Sequence, residues 1–299
     1  NDYLGGKLNV YRFVIFTSQK PHNMKKIVLA VTAFFVLSIA GAQLKTPAPS
    51  PTQTVKQDFG LSSIELSYSR PGMKGRKIFG DLVPYGEVWR TGANSATTLT
   101  FGDEVTIGDK LVPAGKYGLL SIPGKESWTL IISKQTDVTS PAAYKQDQDV
   151  VRVQVSSAGT KTKTETFTIQ FANITPTSCD LQIMWAKTMV TLPVKTEIDS
   201  KVMAKIAELM KGDKPPYYNA AMYYMDNGKD LNQALEWFNK AAEANPKAFW
   251  IVHQKANCLA KLGKNAEAIE AAEKSKAMAA EAKNNDYVKL NEKLIKSLK

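Results

Sequence analysis

The chain has 299 residues, 43% apolar and 22% charged, which is the balance of a globular protein of about two domains. Five of its 39 basic and one of its 28 acidic groups lie in residues 1–42, which leaves 34 against 27, a net +7, on the remainder. Those charges are scattered rather than gathered into a stripe, which argues against nucleic-acid binding.

Residues 1–23 precede Met24 and read as upstream translation with no fold of their own. Met24 is followed by Lys25, Lys26 and an apolar run over 27–42 that ends Ala40-Gly41-Ala42. A charged start, a short apolar core and a small-x-small end predict a cleavable signal peptide over 24–42. The run falls short of the roughly 20 apolar residues that span a bilayer. The expectation is export to the periplasm, the cell envelope or the medium, with no stable membrane span after cleavage. Residues 43–52 are a proline-rich linker, extended and unable to build a core.

From 53 to 195 the apolar period is two. Ile64, Leu66 and Tyr68 alternate with Glu65 and Ser67, and the pattern returns over 97–101, 116–122, 128–133, 150–155, 165–171, 181–185 and 189–194. Turn pairs such as Gly102-Asp103, Gly108-Asp109, Pro123-Gly124 and Ala158-Gly159 separate these runs. Short strands so spaced predict an all-β antiparallel sandwich, or a barrel-like relative of one.

From 196 to 299 the period is 3.6. Helices are expected over 197–211, 219–226, 231–244, 249–262, 266–282 and 285–298. A self-match at a spacing of 34 aligns Ala234 with Ala268, Leu235 with Ile269 and Met225 with Leu259. With Phe238, Ala241 and Pro246 in the first copy, this part resembles the tetratricopeptide repeat family. The second copy departs, with Ala272 for the aromatic and Ala280 for the proline. The resemblance implies a protein or peptide partner on the helices; bracing of the β part is the alternative.

Chemistry is constrained by histidine. His22 and His253 are the only two, so the β part has none. A Ser-His-Asp or Cys-His engine is excluded there, and so is a histidine-based zinc site; no metal or cofactor is expected. Cys179 and Cys258 fall in different parts of the chain and are expected as free, buried thiols.

Arginine is placed selectively. After residue 42 there are four, and Arg70, Arg76 and Arg90 fall within 21 residues of one another. The surrounding stretch, 70–94, holds five glycines and two prolines, too many for a regular ladder. The planar guanidinium fork suits carboxylate or phosphate and tolerates burial. One reading is a small anionic or glycan ligand held by Arg70, Lys74, Arg76, Arg90 and Asn94, with Tyr85 and Trp89 as flat faces. Another is a structural latch in which the arginines pair with Asp81 or Glu87. A third makes Asp81 and Glu87 the acid and base of a hydrolase of envelope polymers.

The stretches SRPGMKGRKIFG and WRTGAN, with PAGKYGLLSIPGKESWTLIIS and LQIMWAKTMVTLPV, resemble the bacterial domain of unknown function 2911 over about 50–195. That resemblance implies an exported β domain with a helical tail. It brings no catalytic roles, and its most recognisable motifs coincide with the arginine-rich stretch. The overall expectation is a non-enzymatic binding or scaffold protein.

Overall fold

The alternating residues form nine strands. They are β1 (Thr52–Phe59), β2 (Ser62–Ser69), β3 (Thr97–Phe101), β4 (Val105–Ile107), β5 (Lys110–Val112), β6 (Gly115–Ile122), β7 (Ser127–Ser133), β8 (Asp149–Ala172) and β9 (Ser178–Lys195). The computed structural model describes residues 46–299, so the expected signal peptide over 24–42, the residues before it and the start of the proline-rich segment lie outside the described part. All neighbours are antiparallel, in the order β1-β2-β3-β6-β7-β8-β9-β4-β5. The linker gives way to β1 at Thr52.

Two expected breaks are absent. The chain runs through Ala158-Gly159 as one 24-residue strand, β8, because register shifts after Gly159 and Thr164 absorb the irregularity as bulges. Runs 181–185 and 189–194 likewise fuse into β9, with Ala186 at φ 54° between them.

The length of β8 shapes the domain. Its first half pairs with β7 and its second half with β9, so it joins the β1-β2-β3-β6-β7 strands to β9-β4-β5. The chain just after β2 then returns to the second half of β8. Phe167 N donates to Pro71 O and Met73 N to Glu165 O, at 2.9 Å each. This pairing curls the sheet round one main core, built from Ile64, Leu66, Leu99, Phe101, Leu119 and Leu192 among others. A second, smaller core of Ala96, Leu120, Ile131 and Val138 covers the opposite face of β6 and β7.

Six helices follow: α1 (Asp199–Leu209), α2 (Tyr217–Asp226), α3 (Leu231–Ala244), α4 (Phe249–Lys261), α5 (Asn265–Glu281) and α6 (Asn285–Leu298). Asp230 caps α3 by accepting from Asn232 N and Gln233 N, as an N-cap aspartate should. Ala234, Phe238 and Ala241 on α3 are buried, and so are Ala268 and Ala272 on α5, the positions aligned by the 34-residue match. His253 is a packed core residue. Its Nδ1 lies 2.8 Å from Asn291 Oδ1, while Asn291 Nδ2 donates to Ser275 Oγ at 2.9 Å and Ser275 Oγ to Phe249 O at 2.8 Å. Because Asn291 uses its amide as donor, Nδ1 of His253 carries the proton. The two thiols are free and buried, and burial pushes that of Cys179 up to about 11. Among the described residues no helix is long and apolar enough to cross a membrane.

Candidate functional site

The glycine-broken stretch 70–94 is ordered by contacts at both ends. Gly72 bridges Thr166 on β8, Phe79 bridges Val83, and Trp89 bridges Ser121 on β6. Gly80 shows why glycine is needed: its φ is 80°, and a Cβ there would stand 2.5 Å from the ring of Tyr85. Three other residues also take positive φ, namely Lys74 at 48°, Thr91 at 53° and Asn94 at 60°. For β-branched Thr91 this is a strained conformation. It is held by burial and by its hydroxyl, 2.9 Å from Ser121 Oγ and 3.3 Å from Trp89 O.

The arginines hold main chain. Arg70 donates from Nε to Phe167 O at 3.1 Å and from Nη2 to Thr168 Oγ1 at 2.9 Å, and its guanidinium lies 5.9 Å from the Tyr68 ring centre. Arg76 donates from Nε to Met73 O at 3.0 Å and from Nη2 to Gly72 O at 2.7 Å. Arg90 donates from Nη1 to Thr139 O at 2.5 Å, while its Nε is buried with no partner. The three therefore hold three different places, and none of these bonds goes to a carboxylate.

Asp81 and Glu87 stand exposed, and neither joins an ion pair among the described residues. Trp89 is half-buried and packs against the main core. It stacks on Trp185 at 5.9 Å and meets Phe79, Trp128 and Phe167 edge-on, while its Nε1 donates to Gly92 O. Tyr85 is 40% exposed. Lys74 is exposed and contributes its backbone N–H to Glu165 Oε1 at 2.8 Å. Asn94 is exposed and donates to Ser69 Oγ at 3.3 Å.

Residues 50–194 match the family described as protein of unknown function (DUF2911). This part of the chain is a DUF2911 domain. No curated protein and no solved structure matches the chain.

On the outer face of the DUF2911 domain a cluster escapes sequence reasoning. Trp89 bridges Ser121, so Arg90 lies beside Leu120, which pairs with Ile131, which pairs with Arg152. Two apolar side chains thus sit between two arginines in one cross-strand row. Residues 134–148 cross this row as a strap. A Cβ on Gly118 would come within 2.0 Å of Gln135 O, so only glycine lets the strap lie this close to β6. The strap is fastened by Lys134 N to Gln148 O, Gln135 Nε2 to Ala143 O, and the Arg90 bond to Thr139. At its far end Arg152 Nη1 pairs with Asp149 Oδ2 at 2.8 Å and reaches Tyr144 Oη at 2.6 Å, while Tyr144 donates to the same carboxylate oxygen. Burial, and then the bond to Asp149, push the Tyr144 phenol up to about 12. Asp149 Oδ1 is buried with no hydrogen-bond partner. The sequence signal for this cluster is the fourth arginine, alone on an alternating strand.

The DUF2911 domain also carries a cleft of about 410 Å³ where β8 and β9 diverge beyond the Ser157–Val190 pair. Thr106, Gln154, Ser156, Thr191 and Lys195 line it. It lacks an aromatic wall, and no residue chosen from the sequence lies in it.

Proposed function

We propose that this protein is an exported, non-catalytic binding or scaffold protein of the bacterial envelope whose arginine-rich loop is a latch. One observation carries the latch: Arg70, Arg76 and Arg90 direct their hydrogen bonds to the protein's own carbonyls and to one threonine hydroxyl, each at a different place. An anion site asks for guanidinium groups that converge. Trp89, half-buried and stacked on Trp185 with three further rings edge-on, supports the same reading, because its ring is engaged by the protein's own aromatics. Export is supported by Lys25-Lys26, the apolar run over 27–42 and the Ala40-Gly41-Ala42 end. A partner surface would come from the helices or the 410 Å³ cleft.

Thermal unfolding in the presence of phosphate, glucuronate and a sulfated polysaccharide tests the latch. The latch predicts that no anion raises the Tm of the native chain more than that of Arg70→Ala. Stabilisation seen in the native chain and lost in Arg70→Ala and Arg90→Ala would return the loop to a ligand. N-terminal sequencing of the protein recovered from the producing cell's envelope should begin at Gln43.

A further inference from the structure

Strand β1 leaves one side of the sheet open. Among the described residues it is first in the strand order and pairs only with β2. Natural sheets blunt such edges with short strands, bulges, prolines, inward charges or edge lysines, and of these β1 has one lysine, Lys56, with Asp58 two residues on. β1 has eight residues, no proline, and unbroken register from Thr52↔Ser69 to Phe59↔Ser62.

The direction of its main-chain groups follows from its neighbours. Gly102 N donates to Ser63 O, so Ser63 turns its main chain toward β3, and Ser62 and Ile64 turn theirs toward β1. Their partners Phe59 and Gln57 face back to β2. Thr54, Lys56 and Asp58 therefore direct N–H and C=O out of the open edge. The Asp58 carbonyl bears this out, since it accepts from the Gln57 side-chain amide at 3.0 Å.

Charge then selects an occupant. A second copy laid antiparallel on this edge must match residues of the same face, so the two-fold axis passes through a residue. Centred on Lys56, two lysines oppose. Centred on Val55, Lys56 and Asp58 each face a threonine. Centred on Gln57, Lys56 faces Asp58 of the second copy and Asp58 faces its Lys56. Val55 then lies opposite Phe59. Lys56 and Asp58 are both exposed, and neither makes an ion pair among the described residues. We infer that β1 is a self-docking edge through which two copies join in the Gln57-centred register, exchanging main-chain hydrogen bonds between Lys56 and Asp58 and forming two reciprocal ion pairs. The contact is narrow, below the roughly 1,200 Å² of stable interfaces, so the association is weak and reversible.

Sedimentation of the chain beginning at Gln43, from micromolar to millimolar concentration and at low and high salt, tests this. A monomer–dimer equilibrium weakened by salt is expected. Lys56→Asp and Asp58→Lys should each raise the dissociation constant about tenfold, and the double exchange should restore it to within about threefold. Lys56→Pro removes an outward N–H without touching the β1–β2 ladder and should abolish the dimer. A monomer at every concentration overturns the inference. So does a dimer that withstands both Lys56→Pro and the charge reversals, or an open-ended assembly. If Lys56→Pro loses near-ultraviolet dichroism, the charge exchange alone decides.

Discussion

Replacing Arg90 by alanine removes three contributions, and they do not share a sign. The charge-assisted bond to Thr139 O is lost, which costs about 1.5–3 kcal/mol. The half-buried stem beside Leu120 is lost, which costs roughly 1 kcal/mol at about 0.8 per fully buried methylene. Against these, the buried Nε has no partner, and deleting it relieves about 1–3 kcal/mol of desolvation. The net expectation is a loss of about 1–2 kcal/mol. Arg70→Ala has no such relief. It breaks two bonds and a ring contact and should cost about 3 kcal/mol or more. Arg76 is exposed and holds carbonyls within four residues of itself, so its loss should cost least. Arg90→Lys keeps a donor within reach and drops the stranded Nε, and should lie close to the native protein. Urea unfolding followed by tryptophan fluorescence gives the order, provided the m-values agree. The reasoning fails if Arg90→Ala costs as much as Arg70→Ala, or if Arg90→Lys is as damaging as Arg90→Ala.

Gly118→Ala places a methyl 2.0 Å from Gln135 O, so it should cost at least the ~1–3 kcal/mol of an overpacked core, and amide exchange should rise across 134–148; unchanged protection there would refute the fit of the strap. Tyr144 has its phenol raised from 10 to about 12, so the neutral form is favoured in the folded protein. Its contribution is complete below pH 10 and is lost as pH rises toward 12; Tyr144→Phe should flatten that alkaline loss, which equilibrium unfolding between pH 9 and 12 would show. Tyr223, raised to about 12 by burial and by its bond to Asp199, should behave alike. Both thiols should react with a disulfide reagent only as fast as the protein opens, and rapid labelling of Cys179 in the folded chain would contradict its burial.

What the sequence reveals here follows from how local each signal is. The inner face of β2 is legible because Ile64, Leu66 and Tyr68 alternate, and one residue of slip would expose all three. The six helices are legible because breaks at Asn227-Gly228, Asn245-Pro246 and Gly263 interrupt a clear period. The unity of β8 is not legible, because a bulge and a turn draw on the same small residues, and only the partner strand distinguishes Ala158-Gly159 in one from the other. The second core is hidden for a related reason. Leu120 and Ile131 break strict alternation, and what covers them is a polar strap that contributes Val138 and Tyr144 to the cluster. The arginine stretch is legible as a place but not as chemistry. Composition shows that guanidinium was required between 70 and 90. Only coordinates show that the acceptors are carbonyls of residues 72, 73, 139 and 167.

Those acceptors explain why arginine rather than lysine stands there. A helix satisfies its carbonyls within itself and a ladder satisfies them across strands, so regular structure leaves few of them in need of a donor. The stretch 70–94, broken by five glycines and bent through three left-handed non-glycine residues, leaves many. A planar fork can hold two acceptors at fixed directions, as Arg76 does with Gly72 O and Met73 O, whereas an ammonium on a flexible stem fixes neither. On this argument arginine should appear where main chain is irregular and lysine where charge merely faces solvent. The six helices, with lysines and no arginine, fit that rule. Arg152 is the exception that locates its own cause. It lies on a regular strand, where it pairs in register with Ile131 of β7, and it holds a buried carboxylate and a phenol instead, which makes the end of the strap the one place where this domain uses a guanidinium against a negative charge.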